Sequence, residues 1–421
     1  MGFVLTSVRS PCSTVQGTDA GALRRHAERA FPCVARRLRH VSLALPNLGE
    51  STERGKDAED AADPAEKVKC SGLETELWTS LRVVQQASEL CVRARDAWDR
   101  TASEDFSVQT KADRTPVTAL DLAVQYIIAH TLTSAFPRYG FVAEETGLPE
   151  RPLLDDAVRL ANSVDKHITE QVVRELTAKY FITHHSVDGA PDRFFVLDPI
   201  DGTKGWISRK HYCVGLALID HSAGGELLLS VLSNPTFKDP SRRVLAAIRG
   251  IGCFSCSLDW HNSSSDRQVL QQLRARADER TRPVSWTISH TLKDNSRTPM
   301  LFGFGLPPVF LCCGSLVKYF YCSLALVDVF VQLPGTESDA VSLRSWDHAA
   351  GVLCVLESGG QVTDLIGGQL RMPFGPSFSI HSLILATSRN SRPYHRDLLV
   401  RCAPRDEVSW RIMLEKSSEE P

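Results

Sequence analysis

From residue 71 onward, the apolar positions follow the periods of regular secondary structure. Leu73, Leu77, Leu81, Val84, Leu90 and Ala94 fall on one helical face and predict a helix to about Trp98, with Ser71 and Glu74 as a capping box at its start. Leu122, Ile127, Ile128 and Leu132 predict a second helix over 118–135. Phe141-Val142-Ala143 reads as a short strand that ends at Glu144-Glu145, and the long stretch 147–190 holds helical patterns near 154–160 and 164–179. Phe194-Phe195-Val196-Leu197 is a buried strand. Two hairpins follow, Tyr212–Asp220 with Glu226–Leu232 and Arg243–Ile248 with Gly252–Cys256. Strands are expected at Val284–Ser289, Val329–Leu333, Val362–Asp364 and Ser382–Thr387. Helices are expected at Ser315–Val327, from Trp346–Gly351 to about Ser358, and at Tyr394–Arg401. Strands and helices alternate irregularly, which points to a layered α/β fold and not to an all-parallel barrel.

The first 70 residues do not share this pattern. Up to residue 48 the chain carries seven arginines against two acids, Asp19 and Glu28, with apolar residues between them at near-helical spacing. An organelle transit peptide and a disordered basic extension both fit that composition. The first would place the protein in a plastid or mitochondrion, the second in the cytoplasm. Residues 50–69 form an acidic linker. Over all 421 residues the chain is 43 % apolar with a formal net charge of −2, which implies a substantial core and no general affinity for nucleic acid. No apolar run is long enough to span a membrane. The twelve cysteines lie mostly inside apolar runs and read as reduced core residues. Cys253-Phe254-Ser255-Cys256 is a lone C-x-x-C without the second pair that a zinc site needs.

The candidate chemistry centres on Asp198-Pro199-Ile200-Asp201-Gly202-Thr203. Two carboxylates three apart in a tight turn can face one point, and the Ile200 carbonyl adds a further oxygen. Magnesium takes such hard oxygen ligands. Gly202 would let the backbone approach a phosphate, and Thr203, at a helix start, offers a cap and a hydroxyl. Asp121, Glu144 and Asp347 are further acids at element ends. The aspartyl-phosphate signature D-x-D-x-T needs its acids two apart, so the spacing here favours attack by metal-activated water over a covalent intermediate.

Taken together, several blocks resemble the lithium-sensitive, magnesium-dependent phosphatases of the inositol monophosphatase superfamily. These are Lys111–Thr118 with Asp121, Glu144-Glu145, Asp198–Trp206, Trp346–Gly351 and Glu357–Gly360, and they are most similar to those of the 3′(2′),5′-bisphosphate nucleotidase branch. The resemblance spans about residues 72–400. It implies a layered α-β-α-β-α sandwich of the inositol monophosphatase and fructose-1,6-bisphosphatase type, with subdomains at 71–238 and 239–412 and a tail at 413–421. It implies two or three Mg²⁺ ions held by Glu144, Asp198, the Ile200 carbonyl, Asp201 and Asp347, with Asp121 and Thr203 as the catalytic pair. Gly202, Thr203, His290, Ser315, Lys318 and Asp347 would contact a small nucleotide substrate, Trp346 would wall the site, and Lys204 and Trp206 would mark the nucleotidase branch. A monomer is expected. Gln332 stands where relatives place an arginine beside the nucleotide, which leaves an inositol phosphate phosphatase as the alternative and an inactive nucleotide sensor as a third reading.

Overall fold

The computed structural model describes residues 68–101, 108–110, 116–181, 189–258, 270–273, 285–288, 309, 311–332, 342–380 and 383–402. The described elements are, in order, α1 (Glu74–Thr101), β1 (Val108–Thr110), β2 (Pro116–Thr118), α2 (Ala119–Ala135), β3 (Gly140–Ala143), α3 (Arg151–Asn162), α4 (Glu170–Tyr180), β4 (Arg193–Asp201), α5 (Thr203–Ile207), β5 (Cys213–Asp220), β6 (Glu226–Ser233), β7 (Val244–Ile248), β8 (Gly252–Cys256) and β9 (Gln271–Gln272). They continue with β10 (Trp286–Ile288), α6 (Ser315–Ser323), β11 (Val329–Gln332), β12 (Ser342–Arg344), α7 (Ala349–Glu357), β13 (Gln361–Asp364), β14 (Ser377–Ser379), β15 (Ile384–Thr387) and α8 (His395–Cys402).

The larger sheet runs β3-β4-β5-β6-β7-β8-β9, with β3 parallel to β4 and the other pairs antiparallel. Side chains alternate across a strand, so each face carries every second residue. Phe195 and Leu197 of β4 join Leu216 and Leu218 of β5 and the apolar stripe of α1 in one core. Phe194 and Val196 pack on the other side with Ala217, Ile219, and the apolar residues of α6 and α7. A smaller sheet, β10-β11-β15-β13, closes over α6 and α7. Its Phe330, Ile384 and Ala386 face those helices, while Val329, Val331 and Leu385 face Leu398 and Leu399 of α8. The layers are therefore α-β-α-β-α. The expected subdomain boundary at 238/239 falls between β6 and β7, which are hydrogen-bonded neighbours in the larger sheet.

Details differ from the sequence reading. Ser71 does not form a box with Glu74; its hydroxyl donates to the Val68 carbonyl at 2.6 Å and accepts from the Leu73 amide at 3.0 Å. The helix expected to reach Val327 stops at Ser323, followed by Ala325 at φ 55°. β13 pairs with β15, and not with a hairpin neighbour. Cys253 and Cys256 lie on opposite faces of the larger sheet, in different cores, so the C-x-x-C cannot close on one ion or one bond. Cys91, Cys213, Cys322 and Cys354 are buried as expected. Among the described residues no helix is long and apolar enough to cross a membrane.

Candidate active site

Asp198 and Asp201 sit inside β4 and not in a turn beyond it. In an unbroken strand, residues three apart point to opposite faces. Here the ladder shifts: Asp198 pairs with Gly215 and Asp201 with Cys213, so β4 holds one residue more than β5 over that step. The extra residue is a bulge within Pro199-Ile200, and Pro199 has no N–H to give the ladder. It turns Asp201 to the same side as Asp198, toward α6 and α7. Asp347, two residues before α7, approaches the same point. Carboxylate oxygens of Asp198, Asp201 and Asp347 lie within 4.8 Å of one another, the one such cluster among the described residues.

Asp201 is held by backbone donors. The Ser315 amide reaches Oδ1 at 3.1 Å and the Leu316 amide reaches Oδ2 at 2.7 Å, both from the first turn of α6. A helix N-terminus offers such N–H groups to an anion. Gly314, at φ 80°, makes the approach sterically feasible, because a Cβ there would overlap the Asp201 carboxylate. Burial pushes the Asp201 carboxyl up to about 7, with Lys318 pulling it down and Glu144 adding to the rise. Lys318 is itself 1 % exposed, and its ammonium donates to the Gly314 carbonyl. Burial brings that ammonium down to about 8 against the opposing pull of Asp201. Thus Lys318 is not a solvated helix lysine; it supports the Gly314–Leu316 turn from beneath.

On the other side of β4, Asp121 lies in the first turn of α2 and is fully buried. Thr118 and Asp121 form a capping box. Asp121 Oδ2 accepts from the Thr118 amide at 2.9 Å and from its hydroxyl at 2.5 Å. Oδ1 accepts from the Thr203 hydroxyl at 2.9 Å, and the Ile200 carbonyl is 3.3 Å from the same hydroxyl. Burial raises the Asp121 carboxyl to about 6, opposed by the Thr118 and Thr203 hydrogen bonds and reinforced by the charge of Glu144. Glu144 follows β3, its amide donating to the Leu197 carbonyl at 3.2 Å. Next to it, Gln125 clamps Glu145 by both backbone groups, at 2.7 and 3.1 Å. Glu144 is outside the 4.8 Å carboxylate group, yet close enough to act on both Asp121 and Asp201.

The remaining candidates separate. Gly202, at φ 89°, is required by packing: the space of a Cβ is taken by the Cys313 carbonyl, at 2.9 Å. Trp206 is buried; its Nε1 donates to the Cys91 carbonyl at 3.3 Å and the Arg95 guanidinium lies 4.2 Å over its ring. It pins α5 to α1. Lys204 is exposed. Trp346 is buried under the Arg344 guanidinium, 5.5 Å from its ring centre. Gln332 ends β11 opposite Ile384. His290 and Lys111–Thr115 lie outside the described residues. The sequence reading missed Thr118 and Gly314. The T-x-x-D spacing ahead of the apolar stretch of α2 was the available signal for Thr118.

Residues 80–401, which carry the carboxylate cluster and the Thr–Asp pair, match the model of one family, described as the inositol monophosphatase family. The chain belongs to the inositol monophosphatase family. Its relatives within that family include 3′(2′),5′-bisphosphate nucleotidase 2 of Candida albicans, 29 % identical over 74 % of this chain and 92 % of the relative. Another is the putative mitochondrial 3′(2′),5′-bisphosphate nucleotidase of Arabidopsis thaliana, 28 % identical over 70 % of this chain and 78 % of the relative. Among solved structures, CysQ of Bacteroides thetaiotaomicron, a bacterial member of the inositol monophosphatase family, superposes with a TM-score of 0.50 at 16 % identity, covering 75 % of this chain and 97 % of that one. That likeness establishes the fold.

Proposed function

We propose that the chain is a Mg²⁺-dependent phosphomonoesterase that removes the 3′-phosphate of 3′-phosphoadenosine 5′-phosphate, giving AMP and phosphate, with 3′-phosphoadenylyl sulfate as a second substrate. The observation that carries this reading is the convergence of Asp198, Asp201 and Asp347 within 4.8 Å. The nucleotide is taken from the two relatives described above, both named bisphosphate nucleotidases.

The donor set suits a hard divalent cation: it is all carboxylate oxygen, with no imidazole or thiolate in the group. Asp198, Asp201, Asp347, Glu144 and the Ile200 carbonyl would hold two or three Mg²⁺ ions. When bound, the cations supply Lewis-acid polarisation of the phosphate and activation of water. The protein's own part is proton handling and orientation. Asp121 takes the Thr203 proton at Oδ1, and the Thr203 oxygen takes one from the attacking water. Thr118 occupies Oδ2 with two hydrogen bonds, so Oδ1 is the oxygen left for this relay. The α6 amides keep Asp201 aimed at the cluster, and Ser315, at the half-buried start of α6, is the substrate contact on that helix.

Gln332 favours a second reading, an inositol phosphate phosphatase, because it lacks the fixed charge that relatives place there. Phosphate release from 3′-phosphoadenosine 5′-phosphate, inositol 1-phosphate and inositol 1,4-bisphosphate, each with Mg²⁺, decides. Clear preference for an inositol phosphate overturns the nucleotidase reading.

A further inference from the structure

Cys312 and Cys313 are the one adjacent pair among the twelve cysteines, and the structure joins them in a disulfide, against the expectation that the cysteines are reduced. Both residues are half-buried and neither is sealed in a core. Of the others, Cys70 is exposed and Cys91, Cys213, Cys253, Cys256, Cys322 and Cys354 are buried. The pair also sits against the carboxylate site. The Cys313 carbonyl fills the space beside Gly202, the Cys313 Cβ closes on Gly205, and the Cys313 amide donates to the His211 carbonyl at 3.4 Å. The next three residues, Gly314, Ser315 and Leu316, form the cradle of Asp201.

We propose that the reduced Cys312–Cys313 pair is a bidentate thiol site for trivalent arsenic, and that occupation of it loosens the cradle of Asp201. Two neighbouring thiols can bind one As(III) centre together, which a single thiol holds far less firmly. With an organoarsenic(III) oxide, two As–S bonds form, and the oxide oxygen leaves as water with both thiol protons. Arsenic stays trivalent and no oxidant is needed. The bridged pair must accommodate the arsenic and its substituent on a segment whose Cys313 carbonyl and Cβ pack closely on Gly202 and Gly205. The displacement passes to Gly314–Leu316, whose contacts orient a carboxylate of the cluster. Capture by the thiols is independent of the phosphatase reading; its effect on cation binding rests on that reading.

The test uses the full chain reduced with a phosphine and treated with phenylarsine oxide. Intact mass and peptide mapping are expected to find one phenylarsenic bridge on the peptide holding Cys312 and Cys313, absent in C312S and retained in C70S. Mn²⁺ binding, followed by electron paramagnetic resonance, is expected to weaken roughly 10-fold or more, as when groups that orient a ligand are lost. A dithiol such as dimercaptopropanol restores binding; the same concentration of 2-mercaptoethanol does not. C312S unfolds at the wild-type temperature and keeps its Mn²⁺ binding in the presence of the arsenical. Absence of the bridge from that peptide overturns the proposal, and so does a bridge that leaves Mn²⁺ affinity unchanged. If phosphate release fails on every phosphomonoester while the bridge forms and Mn²⁺ is lost, the phosphatase reading fails and the thiol site stands.

Discussion

The Thr203 hydroxyl lies 2.9 Å from Asp121 Oδ1, and the two side chains begin α5 and α2 from positions 82 residues apart. Two elements that share no strand thus meet through one proton. Thr203→Val keeps the shape and removes that proton. Its kcat is expected to fall by about 10²–10⁴, the usual worth of a general base, with KM little changed. Asp121→Asn should fall as far, and the double variant no further, because the two act as a unit. Steady-state kinetics of the three variants check this; additive losses would separate the pair.

Asp201→Asn should lower kcat by roughly 10³ or more, since one ligand of the cluster loses its charge. The same substitution should also lower thermal stability without divalent cation, because the amide nitrogen meets a Ser315 or Leu316 N–H where a carboxylate oxygen accepted one. Melting curves with and without Mg²⁺ test this; a variant as stable as the wild type in the absence of cation contradicts the role of the α6 amides in holding Asp201.

Lys318→Met removes the donor to the Gly314 carbonyl and a positive charge near Asp201. A loss of about 1–3 kcal/mol in unfolding free energy is expected, the range for leaving a buried polar group unmade. Mn²⁺ affinity should fall with it. If stability is unchanged and only the KM for nucleotide rises, Lys318 touches substrate and does not support the turn.

Gly314→Ala places a methyl group on the Asp201 carboxylate at a residue with φ 80°. Both effects are unfavourable, and about 1–3 kcal/mol of backbone strain alone is expected. The variant should melt lower and bind Mn²⁺ weakly. Gly224→Ala, also at positive φ but with nothing within 4 Å of the added carbon, carries the strain alone and should leave Mn²⁺ binding intact.

His395 is buried between two threonines, with Thr363 Oγ1 at 2.9 Å from Nε2 and Thr387 Oγ1 at 2.9 Å from Nδ1. Burial, with Arg392 nearby, lowers its pKa from the usual 6.5 to about 4. The folded protein therefore binds the proton less readily than the unfolded chain. This contribution is complete above about pH 6.5 and is lost as pH falls toward about 4, on the order of 3 kcal/mol in all. Urea unfolding across that window should show a slope that His395→Gln reduces. An equal slope in the variant rules the histidine out as its source.

Much of the fold was legible in period and parity. Phe194 to Leu197 alternates between two cores, and Leu77, Leu81 and Val84 mark the buried side of α1. Asp198, Asp201 and Asp347 were legible as acids at element ends, and they converge. Lys318 was not, because a lysine on a helix looks the same in sequence whether it faces water or a carbonyl beneath a turn. Gly202 suggested a phosphate contact from its motif and Trp206 the nucleotidase branch, whereas their contacts are with Cys313 and with Cys91 and Arg95. Those contacts join residues from distant parts of the chain, which no local spacing encodes. Ser71 and Glu74 have the spacing of a capping box without forming one, while Thr118 and Asp121, at the same spacing, do form it.

The bulge in β4 has a consequence for how such a chain can change over time. Side-chain identity between Asp198 and Asp201 can vary while the count of residues cannot. Loss or gain of a single codon there would send Asp201 to the opposite face, among Phe195, Leu197 and Leu216, and strand a charge in the oily layer. Length in this segment is a stricter inheritance than composition, and frame-preserving insertions should be tolerated in the 147–190 stretch long before one is tolerated here.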